Sequence, residues 1–203
     1  MKNMSRGNGV SICDAVHQGN GAGLQMPAEE RIGGSNGQQF KGTGDCLLLS
    51  SAPDGSITLS ADAAASLVYM IEEEKMARDL YDAFFSAIGS TIFDRISVSE
   101  QKHMDTLLAV ADKAGIDVSG LSTTAGVFTN SDIQALYDSL LQQGSASLDA
   151  AYGVGVLVEQ TDIADIQAII ASGDVGIVGI VYSNLINASE HHLAAFTTYA
   201  DLV

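Results

Sequence analysis

The chain has 203 residues, 46% hydrophobic and 17% charged, enough for one domain with a sizeable core plus an extension. Its 25 acidic and 9 basic residues leave a formal net charge of -16, which excludes the basic surface that nucleic acid or an anionic membrane needs. No run of about 18 apolar residues is present to span a bilayer, nor is there a secretory h-region of about 7 to 15 apolar residues near the N-terminus.

Residues 1–57 are expected to form an irregular extension. They contain "RIGGSNGQQFKGTGD" and "SAPDGS" and show no sustained hydrophobic period. One apolar cluster, "CLLLSS" at 46–51, is expected as a short strand or a segment that docks on the main body or a neighbouring subunit. Cys13 and Cys46 are the only cysteines. Pairing them would close a loop of about 33 residues, worth roughly 3 to 4 kcal/mol, and would staple a glycine-rich segment that has little core of its own. The disulfide and the low lysine content favour an extracellular or cell-surface location; two free thiols and the missing signal favour the cytoplasm.

Residues 58–203 are expected to be all-α. The first helix spans about 60–88 and stops at Gly89; the second follows "GST" and ends at Gly115. A turn this short packs the two antiparallel. After a loop over 116–130, "SDIQALYDSLLQQG" begins with Ser/Asp capping chemistry and forms a short helix to about 143. A third long helix runs from "SASLDAAYG" to a stop at Gly173, and a fourth, "DVGIVGIVYSNLINASEHHLAAFTTYADLV", reaches the C-terminus. Two long hairpins joined by a crossover carrying a small helix make a four-helix bundle of the ferritin-like kind.

Glu74 and Tyr81 are seven residues apart on the first helix and so face the same way. Glu100 and His103, at i and i+3, share a face of the second, and antiparallel packing brings them level with Glu74. In the other hairpin Glu159 sits within "GVLVEQTDI", at nearly the same height from its turn as His192. A carboxylate placed among Val and Leu side chains wants a cation, because burial without a counter-charge costs several kcal/mol. Glu72 and Glu73 are expected to face solvent, with Lys75 and Arg78 as local partners. Met70, Met76 and Met104 fit core packing, His17 has no companions, and His191 is expected to be exposed.

The blocks "EEEKMARDLY", "EQKHMDTLL", "GVFTNSDIQALYDSL", "GVLVEQTDIADI" and "SEHHLAAF" together resemble the ferritin-like family catalogued as domain of unknown function 2202, related to rubrerythrins and ferritins, over about residues 60–200. The resemblance implies a di-iron or di-manganese centre with a glutamate on the first and third long helices and Glu-x-x-His on the second and fourth. Carried onto this chain, Glu74, Glu100, His103, Glu159 and His192 match. Ser189 departs from the pattern, standing where the fourth helix would carry its glutamate; Asp162, at i+3 from Glu159, is the best placed substitute. Tyr81 and Tyr152, each seven residues from a candidate glutamate, are expected to orient ligands.

The leading expectation is a metal-binding protein holding one or two ions of iron, or of manganese or zinc, with no organic cofactor and with oxidase or peroxidase chemistry. No Cys-x-x-Cys pair is present. Redox turnover would therefore need an outside electron donor. The alternative is a self-assembling structural subunit, a homo-oligomer joined through the extension.

Overall fold

The computed structural model describes residues 57–173, 175–176 and 178–202. The expected Cys13–Cys46 pair and the strand at 46–51 lie outside these residues. Within them are five α-helices and no strand: α1 (Ala61–Ile88), α2 (Thr91–Ala114), α3 (Ser131–Gly144), α4 (Leu148–Ala171) and α5 (Val178–Ala200). None of these helices is long and apolar enough to cross a membrane.

Local chemistry sets the helix ends. The Ser60 hydroxyl accepts from the Ala63 N–H at 3.1 Å and starts α1. Gly89 takes φ 83° and Gly115 φ 69°, the left-handed region where a side chain is strained, so α1 and α2 both stop where the sequence places a glycine. Asn130 caps α3, its Oδ1 accepting from Asp132 and Ile133, one residue before the Ser/Asp pair expected to do so. Ser147 caps α4 through the Ala150 N–H.

α1 packs along α2, and α4 along α5; across these pairs α1 meets α4 and α2 meets α5, while α3 lies against α1 and α4. Each long helix is apolar, then polar, then apolar along its length. One apolar cluster unites Met76, Leu80, Tyr81 and Phe84 of α1 with Phe93 of α2, Val154 and Val158 of α4, and Phe196 of α5. The other unites Leu67, Met70 and Ile71 with Leu107, Val110, Ile166, Tyr182 and Leu185. The sequence segments between these clusters, 72–75, 99–103, 159–162 and 189–192, supply a buried polar layer. Met70 and Met76 belong to the two clusters, as core packing required.

Glu72 and Glu73 correct an expectation. Both are buried, with relative exposures of 3% and 2%. A solvated face fails here because α1 is covered by α2, by α4 and by the crossover together. Glu72 accepts the N–H groups of Thr129 and, at 2.9 Å, Asn130, just ahead of α3, where helix N-termini favour an anion. Lys75 and Arg78 likewise do not serve Glu72 and Glu73. Lys75 Nζ lies 2.7 Å from Asp79, donates to the Thr124 and Val127 carbonyls, and sits over the Phe128 ring; Arg78 binds Asp79 and Gln101. Glu72, Lys75 and Asp79 therefore form one stripe of α1 that fastens the crossover to the core.

The α4–α5 spacing depends on Gly155, one turn before Glu159, because a Cβ built there would stand 2.7 Å from Cγ of the Phe196 ring. Gly155→Ala is expected to push the two helices apart and destabilise the fold by about 1–3 kcal/mol. The check is a urea titration, with a lower midpoint at an unchanged m-value expected.

Candidate metal centre

Glu74, Glu100, His103, Glu159 and His192 come together from α1, α2, α4 and α5 in the polar layer. They form two triads, Glu74–Glu100–His103 and Glu100–Glu159–His192, whose potential ligand atoms within each triad lie within 4.8 Å of one another. Glu100 belongs to both. Its Oε2 is 2.7 Å from His103 Nδ1 and its Oε1 is 2.8 Å from His192 Nδ1. His103 Nδ1 also lies 3.3 Å from Glu74 Oε2, and His192 Nδ1 lies 3.5 Å from Glu159 Oε2. The two imidazoles stack at 5.5 Å between ring centroids, and each presents Nδ1 to Glu100.

Glu100 Oε1 and His192 Nδ1 are close in space but misaligned for a hydrogen bond, and neither has another hydrogen-bond partner; Glu74 Oε1 has none either. Buried polar atoms are ordinarily paired. Carboxylate oxygens and imidazole nitrogens that converge this closely with poor hydrogen-bond alignment suit a cation in place of a proton, and this donor set suits iron, manganese or zinc. The residues therefore fit a metal. The set is well enclosed, with His192 retaining 12% side-chain exposure.

The surrounding contacts divide the expected supporting residues. The Tyr81 hydroxyl donates to Glu159 Oε1 at 2.7 Å and fixes that carboxylate. Tyr152 does not reach a candidate ligand: its hydroxyl pairs with Ser90 at 2.8 Å and its ring stacks on Phe93, because it points toward the α1–α2 turn. Asp162 is buried but belongs to neither triad; the Ser189 hydroxyl donates to its Oδ2 at 2.6 Å. The serine that replaces the expected glutamate thus holds a carboxylate from the neighbouring helix. Glu190 and His191 are exposed. The buried Glu73 escaped the sequence reading because nothing in the glutamate run separates it from a solvated neighbour. The i, i+3, i+7 spacing of Glu72, Lys75 and Asp79 was a usable signal of a common face.

Electrostatics follow from burial. Burial, helped by the Glu100 charge and opposed by His103, pushes Glu74 up to about 8. Burial and repulsion from Glu100 raise Glu159; burial and Glu74 hold Asp162 well above the usual carboxylate range. At Glu100 burial works upward, but the His192 and His103 imidazoles outweigh it and its carboxyl is lowered. Burial works downward on the imidazoles and is outweighed by the carboxylates: Glu100 and Glu159 raise His192 to about 10, and Glu100 and Glu74 raise His103 well above its ordinary value. Burial and the Glu159 charge raise Tyr81. In the absence of a cation, the layer reduces its excess negative charge by retaining protons.

A family model described as an uncharacterized protein domain, DUF2202, matches residues 63–202, a span that includes both triads, and the chain belongs to this family. It is similar to the uncharacterized protein MJ0754 of Methanocaldococcus jannaschii, 36% identical over 148 residues that cover 73% of this chain and 79% of the relative. The crystal structure of hypothetical protein MJ0754 matches with a TM-score of 0.71 and 34% identity, covering 75% of this chain and 86% of that one.

The raised values give the metal-free protein a defined pH dependence. Glu74 binds more protons folded than unfolded between its ordinary value of 4.5 and about 8, so its contribution is lost as pH rises through that window. His192 acts with the same sign between 6.5 and about 10. Between about pH 6.5 and 8 the stability of chelator-treated protein is therefore expected to fall, by up to about 1.4 kcal/mol per pH unit for each group. Urea midpoints measured across that range check this, and Glu74→Gln should flatten the slope.

Proposed function

We propose that this chain is a ferritin-like dinuclear metal protein, with iron as the first choice of metal and oxidase or peroxidase chemistry; manganese would keep that chemistry, whereas zinc, which is redox-inert, would make the centre structural. The observation that carries the reading is Glu100, whose two oxygens each meet a different imidazole and which both ligand triads share. Glu74, Glu100 and His103 would hold one ion, Glu100, Glu159 and His192 the other. The arrangement of four long helices, each contributing to this layer, supports the ferritin-like reading. Ionised Glu74, Glu100 and Glu159 would offset most of the charge of two dications, and the ionised Asp162 nearby would complete the balance.

When bound, an iron pair would supply reversible ferrous–ferric chemistry toward dioxygen or a peroxide. The chain's own part is positional. The Tyr81 O–H holds Glu159 Oε1 in place, and the phenolic proton stays on Tyr81 because burial and the Glu159 charge oppose its loss. The Ser189 O–H of α5 holds Asp162 Oδ2, and Asp162 stays outside both triads. Apolar clusters on both sides limit water access, which strengthens every charge interaction in the layer. Electrons would come from an outside donor.

Elemental analysis of protein purified without chelator, followed by anaerobic ferrous addition and exposure to air, tests the reading. About two ions per chain and a ferric absorption band are expected. Glu100→Ala should lose both ions because both triads share it, whereas His192→Ala should lose one. An absence of bound metal together with no ferric band would sink the proposal.

A further inference from the structure

Beside the triads, along the seam where α1 meets α4, lies a second group of carboxyls, none of them a member of either triad. Asp162 and Asp165 sit three apart on one face of α4, and Glu73 of α1 faces both closely enough for their charges to act on it. Asp165 is half-buried, and its charge acts on both Glu73 and the half-buried Tyr69. Glu73 is deeper, at 2% exposure. Asp162, at 6%, is deep as well and acts on Glu74 and Glu159 of the two triads. Neighbour acts on neighbour in the sequence Asp165, Glu73, Asp162, Glu74, and Asp165 is the one of the four that is not buried.

Two of these groups retain an unused oxygen. Glu73 Oε2 and Asp162 Oδ1 are buried and have no hydrogen-bond partner. No neighbouring base of the same α1 turns serves them: Lys75 and Arg78 are both committed to Asp79. Buried carboxyl oxygens without a donor or counter-charge cost stability. Purely structural carboxylates would be satisfied in the way that Glu72 is satisfied by two backbone N–H groups. A row of oxygen ligands reaching from a half-buried rim residue to a metal centre instead suits a hard, partly hydrated cation, which exchanges its waters for carboxylates one at a time.

We propose that Asp165, Glu73 and Asp162 form an ingress path along which a divalent cation passes, between α1 and α4, from the surface to the Glu74 end of the paired triads. This rests on the dinuclear reading above and adds the route by which the ions arrive. A passing cation meets an oxygen at each stage, so it is never stripped of ligands all at once. The path is distinct from the slightly exposed His192, on α5.

Stopped-flow loading of the full-length metal-free chain with Co²⁺, followed by ligand-field absorption, separates the possibilities. Wild type is expected to take up about two equivalents, one per triad. Glu73→Gln should reach the same endpoint at least about tenfold more slowly, as expected when a focusing charge is removed from a cleft. Asp165→Asn should also slow loading and carries the test if the first variant does not fold, while the exposed Glu190→Gln should load at the wild-type rate. A Glu73→Gln protein loading at the wild-type rate would overturn the path. So would one that lost an equivalent of metal, since Glu73 would then be a ligand rather than a stage. Failure of wild-type protein to bind any Co²⁺ would overturn the dinuclear reading itself, and the path with it.

Discussion

The constraint on which the rest of the structure depends is a layer of carboxyls that burial cannot leave uncompensated. Glu73, Glu74, Glu100, Glu159 and Asp162 are each at most 6% exposed, and two apolar clusters close the layer on either side. An isolated buried carboxylate costs several kcal/mol. Two imidazoles placed with Nδ1 toward the carboxyls reduce that cost, as do protons retained on Glu74 and Asp162. Two imidazoles against five carboxyls leave the layer short of positive charge, and Glu100 Oε1 and His192 Nδ1 converge at 2.8 Å with poor hydrogen-bond alignment. That shortage links the fold to the proposed function.

The same constraint explains why α1 is so thoroughly covered. A helix that brings ligands to a central layer must be enclosed by its neighbours. Here the stretch from Met70 to Ala77 is buried without interruption. Its charged residues on the crossover side have become fasteners: Glu72 takes backbone N–H groups ahead of α3, and Lys75 takes backbone carbonyls of the crossover while bonded to Asp79. A buried ion pair of this kind contributes little net stability, but removing one partner is costly, so it specifies where the crossover lies. The crossover in turn positions α3 against α1 and α4.

Much of this architecture was legible in the sequence because helix ends are local chemistry. Gly89 and Gly115 lie where the backbone needs them, and the fourth long segment, read as helix, forms α5. The convergence of Glu74, Glu100, His103, Glu159 and His192 was legible because helical rise from two short turns fixes height. Rotation around α1 was harder to read. Assigning Glu72 and Glu73 to solvent assumed a helix buried on one side, whereas coverage by α2, α4 and the crossover is set by tertiary packing. Tyr152 fell outside the centre for a related reason: seven-residue spacing puts it on the same face as Glu159 but two turns away, where Ser90 is the available partner. The Ser189–Asp162 bond required knowing which faces of α4 and α5 oppose one another.

The hairpins make the centre asymmetric. The first supplies Glu74, Glu100 and His103; the second supplies Glu159 and His192, with Asp162 held aside by a serine. Glu100 makes the two halves one unit. Anomalous X-ray diffraction at the iron edge, from crystals of iron-loaded protein, tests this most directly. Two anomalous peaks are expected, one between Glu74, His103 and Glu100 and the other between Glu159, His192 and Glu100. Iron found only at surface carboxylates, with no peak beside Glu100, would contradict the account.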